Sequence, residues 1–570
     1  MAWNQNKEQL ERIIDSVSLG LTSRRKFLSA LTAMGGAGLL APSAIADALA
    51  ANATQIANRA VLDKQYDHII VGGGPAGCVL ARRLVDEGAK VLLIEAGGSE
   101  DQSSIIDPLQ WYTNIGGAND WGHISSPASE LGQRRLLVSS GKVLGGGSSI
   151  NASLWARGSA SDFDGWAADG CTGWGWNDVL PIYRSIEKWE GGASEWRGGD
   201  GPMQISLPKD PHPAALAWLE ASREMGIPVK QDLSSGELIG SGLCNLSVRF
   251  DGTRESPVRA YLRPVLKNPN LTVLLNTQVT RLLFERSHCH GVELAGQDEQ
   301  STVFSAGDVI VTAGAIGSAR LLMLSGIGNV DELKRLDIAS VSDLPGVGAN
   351  LQDHPLLEGV ILEYRGDIPA PRGNAAEATL FLESATGKGV DLQPVLIELP
   401  LVTPDVRDVY GNPPTNAFTL APGVVKPQSR GSVKLANADW RKKPLVDTGF
   451  LREPADMAAA LACVELCREL GQQPAFKQIS LREVIPGRNL SSDDAEDFVR
   501  RSTTSYFHPA GTCRMGVDET AVVSPDLRVR GVTGLRVCDS SIMPTITTGN
   551  TNAPTIMIAE KASSMLLSAH

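Results

Sequence analysis

Apolar and polar positions follow two rhythms along this chain. After Tyr66-Asp67-His68, the unbroken apolar run Ile69-Ile70-Val71 predicts a strand buried on both faces. The glycine-rich stretch Gly72-Gly73-Gly74-Pro75-Ala76-Gly77 comes next. From Cys78 to Glu87, the positions Val79, Leu80, Arg83 and Leu84 recur at helical spacing. A second apolar run, Lys90-Val91-Leu92-Leu93-Ile94, predicts another buried strand and ends in Glu95. Strand, glycine turn, helix and strand make a βαβ unit. Farther along, Val390 to Leu399, Ala417 to Val425 and Ser432 to Leu435 predict short strands with no helical crossover between them. Met457 to Leu470 predicts a helix with Met457, Ala460, Leu461, Val464 and Cys467 on one face.

The glycines of the βαβ unit fall as G-x-G-x-x-G at Gly72, Gly74 and Gly77. They permit a tight turn and close approach of a pyrophosphate to a helix N-terminus, whose free N–H groups and dipole favour anions. Glu95, at the end of the second strand, is placed to accept hydrogen bonds from a ribose diol. The motif serves FAD and NAD alike, and the acid argues against the 2′-phosphate of NADP.

A second glycine cluster runs Gly141-Lys142-Val143-Leu144-Gly145-Gly146-Gly147-Ser148-Ser149-Ile150-Asn151. Consecutive glycines leave backbone N–H groups free for an anion or the edge of a flavin ring. Two later stretches are as distinctive. One is Gly314-Ala315-Ile316-Gly317-Ser318, leading to Ser325-Gly326-Ile327-Gly328. The other runs from Leu344-Pro345-Gly346-Val347-Gly348 to Asn350-Leu351-Gln352-Asp353-His354-Pro355. Ser429-Arg430-Gly431-Ser432-Val433 and His508-Pro509-Ala510-Gly511-Thr512 follow in order. From about Asp67 to its carboxy terminus the chain resembles the glucose-methanol-choline (GMC) oxidoreductases, which carry motifs of these kinds in this order.

That resemblance implies an α/β, Rossmann-like FAD-binding domain built from separated segments, 66–160, 245–355 and 525–570. An α+β substrate domain with a largely antiparallel sheet would take 161–244 and 356–524. It implies FAD contacts at Gly72, Gly74, Gly77, Glu95, Gly145, Ser148, Asn151, Val279, Asp539 and Thr551. His508 corresponds to the family's catalytic histidine and Asn550 to its partner, which is asparagine in the choline-oxidising branch. Asn552 is a second candidate for that pairing. Proline after His508 biases it towards an extended turn. Imidazole can take an alcohol proton near neutral pH, whereas a carboxamide cannot. The implied reaction is oxidation of a primary or secondary alcohol by hydride transfer to flavin N5, with His508 as base. Ile150 stands where some members attach FAD through histidine, so noncovalent FAD is expected. The stretch between Gln352 and Phe418, together with Phe507 and Trp155, is expected to line the substrate pocket. A flavin-containing hydroxynitrile lyase, and a non-catalytic flavoprotein or a subunit that needs a partner, are alternatives. The electron acceptor, whether quinone, cytochrome or oxygen, is open, with a dehydrogenase favoured.

The amino terminus carries an address. Ser23-Arg24-Arg25-Lys26-Phe27-Leu28 precedes a weakly apolar run, Ala30 to Leu40, and small-x-small sites at Ala44-Ile45-Ala46 and Ala48-Leu49-Ala50. This resembles a twin-arginine export signal over 1–50, which implies a periplasmic enzyme. The run is too short to span a bilayer, so no stable membrane insertion is expected. A net charge of −12 over 570 residues disfavours nucleic acid as a partner. The length calls for two large units or one core with a big insertion. The eight cysteines include no C-x-x-C pair, which disfavours a zinc ribbon or redox dithiol, and no metal site is expected. Cys463 and Cys467 belong to a buried helical face. His288-Cys289-His290, set between the apolar runs Leu282–Phe284 and Val292–Leu294, predicts a hairpin turn.

Overall fold

The computed structural model describes residues 62–295, 301–367, 369–385 and 389–568. The export signal lies outside the described residues. The βαβ unit forms as strand His68–Val71, helix Pro75–Asp86 and strand Val91–Ile94. These strands join a five-stranded parallel sheet in the order Leu535–Val537, Val309–Val311, His68–Val71, Val91–Ile94, Leu271–Leu274. Chain order reverses between His68–Val71 and Val309–Val311, the switch point beyond which ligands bind in doubly wound sheets. Gly72 leaves the first strand at φ +110°, and a Cβ there would meet Thr312 O at 2.5 Å. At Gly77 a Cβ would meet Gly72 O at 2.0 Å, so only glycine lets the helix close onto its own turn.

The last helix, Asn552–Leu567, packs along Pro75–Asp86. Arg83 forks onto Glu560 at 2.8 and 2.7 Å, and Tyr261 donates to the same carboxylate at 2.8 Å. Next to this unit, strands Val279–Glu285 and His288–Leu294 form a hairpin, but it turns through Arg286 at φ +56°, so His288, Cys289 and His290 open its second strand rather than making the turn. His290 stacks on Phe304, and Cys289 is buried.

The second unit is a six-stranded antiparallel sheet. Its order is Ser480–Ile485, Ile361–Tyr364, Ala417–Ala421, Val395–Ile397, Ala378–Phe381, Gly240–Leu243. Helices Pro213–Glu224 and Pro454–Gly471 bury Trp218, Met457, Cys463 and Cys467 in one core with Phe418 of the sheet. The strand expected over Val390 to Leu399 shortens to Val395–Ile397, because Pro394 cannot donate to a ladder. Ser432–Lys434 pairs with Leu445–Asp447 as a separate ribbon.

The core under the parallel sheet also takes in Phe163, Trp166, Trp174, Tyr183 and Ile205, which the sequence division gives to the substrate unit. The cause is aromatic burial. Trp166 donates its indole N–H to Thr545 O at 3.0 Å, and Trp174 donates to Pro525 O at 2.9 Å, both in the carboxy-terminal segment. All eight cysteines are buried and unpaired. Among the described residues, no helix is long and apolar enough to cross a membrane, and no group of His, Cys, Asp and Glu is placed to hold a metal.

Candidate active site

A cavity of about 520 Å³ opens at the switch point, lined by Val71, Ile94 and Thr312 at the ends of parallel strands and by Val395 and Ile397 of the antiparallel sheet. Three long helices begin at its wall: Pro75–Asp86, Gly314–Leu324 and Asn552–Leu567. None of the three has an acidic residue in its first turn. The first turns of Pro75–Asp86 and Asn552–Leu567 therefore present N–H groups and dipole ends to the cavity, which suits a pyrophosphate and an electron-rich ring, whereas Gly314 N already donates to Asp539.

The residues at this end fit FAD. Gly72, Gly74, Glu95, Asn151, Val279, Asp539 and Thr551 all line the cavity. A Cβ added at Gly147 or Gly314 would meet nothing within 4 Å, so the cradle is open there. The Glu95 carboxylate accepts from Gly73 N at 2.8 Å and Gly97 N at 2.7 Å, which fixes its direction. Burial pushes its pKa up to about 7 against those two donors. Both amide atoms of Asn552, at the start of the last helix, are buried without a protein partner. Gly77, Gly145 and Ser148 stand behind the wall. Gly145 N donates to Gly73 O at 2.7 Å and Ser148 Oγ to Gly145 O at 2.6 Å, so they hold the two glycine clusters together. Asp539 is saturated internally. Its carboxylate accepts from Gly314 N at 2.8 Å, Ser318 Oγ at 2.6 Å and Ser541 N at 2.8 Å. Asn151 Oδ1 accepts from the buried Arg254 at 2.7 Å.

At the other end lies His508. The turn that carries it is unusual, since Phe507 sits at φ +65° with a side chain that disfavours it. Asp353 holds this geometry. One carboxylate oxygen accepts His508 N at 2.9 Å, the other accepts Ser505 Oγ, and Ser505 Oγ accepts Phe507 N at 2.8 Å. Burial pushes Asp353 up to about 7. The His508 ring lies between Tyr506, stacked at 4.8 Å, and His354, edge-on at 5.2 Å. Its Nε2 meets Asn550 Nδ2 at 3.1 Å and its Nδ1 meets His354 Nδ1 at 2.9 Å. Desolvation lowers the His508 pKa to about 3, so the ring is neutral across the ordinary pH range and not poised near neutrality.

His508, Asn550 and Phe507 thus meet in one cavity wall. Asn550, not Asn552, contacts the imidazole. Trp155 departs from its expected place. It is buried, it does not line the main cavity, and its indole donates to the buried Glu187 at 2.6 Å. A buried indole N–H needs an acceptor, and Glu187 supplies one away from the site. Asp353, His354, Gln393 and Glu358 all lie in the stretch expected to form the pocket wall, but no individual role was expected for any of them. Asp353-His354-Pro355 does carry the same His-Pro pair as His508-Pro509, which was the available signal.

A cavity built to take a dinucleotide at one end, with a proton acceptor at the other, has the division of labour of flavin-dependent oxidoreductases acting on CH–OH donors. Residues 66–356 and 427–559 match the two sequence families described as GMC oxidoreductase. The chain belongs to the GMC oxidoreductase family, and FAD is its cofactor. It is 37% identical over 540 residues to mitochondrial choline dehydrogenase of Mus musculus, covering 88% of this chain and 89% of that one. It is also 37% identical over 538 residues to an oxygen-dependent choline dehydrogenase of Rhizobium etli, covering 88% and 96%. Among solved structures, pyridoxine 4-oxidase from Mesorbium loti superposes with a TM-score of 0.85 at 33% identity, covering 89% of this chain and all of that one. Formate oxidase of Aspergillus oryzae gives 0.81 at 25% identity, covering 89% and 99%. Where some members carry a linking histidine, Ile150 packs against Ile105 and Val143.

Proposed function

We propose that the protein oxidises a primary or secondary alcohol to its carbonyl, with His508 Nε2 taking the hydroxyl proton and Asn550 holding the substrate oxygen. The observation that carries this reading is the His508–Asn550 contact of 3.1 Å in the cavity wall. Bound FAD supplies the two-electron acceptor for the hydride of the carbinol carbon. The glycine turn, Glu95 and the two open helix N-termini would hold its dinucleotide part. His508 is desolvated and neutral, so its lone pair is available without prior loss of a proton. The Asn550 amide steadies the oxygen as charge develops.

The substrate wall is apolar, with Leu154, Leu356, Val395, Ile397, Leu401 and Phe507. Glu358 also lines the cavity. Its carboxylate makes no hydrogen bond among the described residues, and burial pushes it up to about 7 against the charge of Arg134. We assign the substrate as an alcohol with an apolar body and a cationic or proton-donating group, a class to which choline, named in the relatives, belongs. Anaerobic bleaching by a panel of neutral and cationic alcohols tests this, with peroxide and artificial-acceptor assays run beside it. For a cationic alcohol, kcat/KM should rise as Glu358 ionises through about pH 7, and Glu358→Gln should flatten that rise. No bleaching by any alcohol would favour the lyase reading instead. A dehydrogenase in the periplasm, exported through Arg24-Arg25, is the cellular setting we propose.

A further inference from the structure

Gln393 lies next to the reacting pair, buried to 1% exposure in a strand-like segment of the antiparallel sheet. Its backbone N donates to Gly423 O at 2.8 Å, which fixes the position of the side chain. Its Nε2 donates to Asn550 Oδ1 at 3.2 Å. That leaves Asn550 Nδ2 for His508 Nε2, at 3.1 Å. A nitrogen that accepts an N–H carries no proton of its own, so the neutral His508 ring keeps its proton on Nδ1. The 2.9 Å contact between His508 Nδ1 and His354 Nδ1 then runs from His508 to His354. Hydrogen-bond direction passes along four side chains, and Gln393 is the first of them.

The direction is set from behind. The far side of Gln393 opens on a second cavity of about 30 Å³, which Asn245 and Asn550 also line. There Gln393 Oε1 and Asn245 Nδ2 are both buried without a protein partner, one an acceptor and the other a donor. Asn245 Oδ1 is already used, accepting from Ser234 Oγ at 3.1 Å. A cavity of this size has room for a water between an acceptor and a donor. Turning the Gln393 amide over would set two NH2 groups facing that space. It would also present Oε1 to Asn550, whose amide would have to turn as well. Asn550 Oδ1 would then face His508 Nε2 and require a proton there, which would occupy the lone pair that catalysis uses.

We propose that Gln393 is a positioning residue that fixes the Asn550 amide, and through it the tautomer that keeps His508 Nε2 without a proton, so that an entering alcohol oxygen displaces the resting contact, accepts from Asn550 Nδ2 and gives its proton to Nε2. This rests on the assignment of His508 as base. The test is anaerobic flavin reduction by alcohol across pH, on flavin-loaded Gln393→Leu, Gln393→Glu, Asn550→Ala and the double variant Gln393→Glu/Asn550→Ala. FAD content should be unchanged, because Gln393 does not line the main cavity. Gln393→Leu should slow reduction about 10-fold, the order expected for losing one buried hydrogen bond. Gln393→Glu should slow it about 100-fold or more where the new side chain is a carboxylate, an acceptor that turns the relay round. It should recover as pH falls, because a protonated carboxyl donates again. Within the Asn550→Ala background, Gln393→Glu should add nothing. The inference is overturned if Gln393→Glu is slowed equally at every pH, or if its full effect persists without the Asn550 amide. Near wild-type reduction by His508→Ala would instead overturn the assignment of the base.

Discussion

Burial, more than any neighbouring charge, gives His508 its character. Desolvation lowers its pKa to about 3, far below the ordinary imidazole value. The sign follows directly: protonation removes the acceptor, so the lower limb of flavin reduction should fall near pH 3–4 and not near 6.5. His508→Ala should keep FAD and slow reduction by about 10²–10⁴-fold, the usual worth of a positioned base. Asn550→Ala should slow the same step but leave the limb in place, since a carboxamide does not titrate in this range. Stopped-flow reduction without oxygen decides the matter; a limb near 6.5 that vanishes with His508 would show that burial does not govern the ring. The two partners were expected only through the resemblance of their motifs to the family's, since residue chemistry alone favoured a satisfied buried histidine at His508. No role was expected for Gln393 or His354. Their roles come from contacts across 157 and 154 residues of chain, which no local pattern records.

The turn from Ser505 to Pro509 shows what an element adds. Proline foretold an extended His508, but nothing in the sequence foretold a phenylalanine at φ +65°. That conformation costs energy and persists because Asp353 and Ser505 hold the turn on both sides of it. Asp353→Ala would leave the buried His508 N–H without its acceptor. We expect a loss of about 1–3 kcal/mol of stability, and a fall in kcat larger than any change in FAD affinity. Denaturant unfolding and flavin titration on the same preparation measure both; unchanged kcat with reduced stability would confine Asp353 to a structural role. Strands of the antiparallel sheet were legible as apolar runs, but their ends were not, since proline and bridging contacts trim them.

The whole molecule was legible where periodicity is strong. The βαβ unit follows from buried runs and glycines, whereas the rest of the parallel sheet and the antiparallel sheet were expected from the family resemblance, which the short strands without crossovers merely suit. The boundary between units was harder to place. Trp166 and Trp174 lie far in sequence from the segment they anchor, and only the folded chain shows which core they complete. Moving such a protein after folding would keep cofactor and both cores intact, which suits the export route proposed for it. Arg24→Lys combined with Arg25→Lys should leave an active, flavin-loaded enzyme in the cytoplasm. Fractionation that finds periplasmic activity undiminished would reject that route.

The buried, unpaired cysteines make the protein its own stopwatch. A thiolate must form and be reached before an alkylating reagent can act, and burial denies both. Cys78 lies in the helix after the glycine turn, whereas Cys463 and Cys467 lie in the core of the antiparallel unit. The rate at which each thiol is labelled therefore reports how often its own unit opens. FAD, bound at the parallel sheet, should slow labelling of Cys78 more than that of the distant pair. Mass spectrometry of timed samples would resolve the two rates, and equal protection of all three would mean that both units open as one.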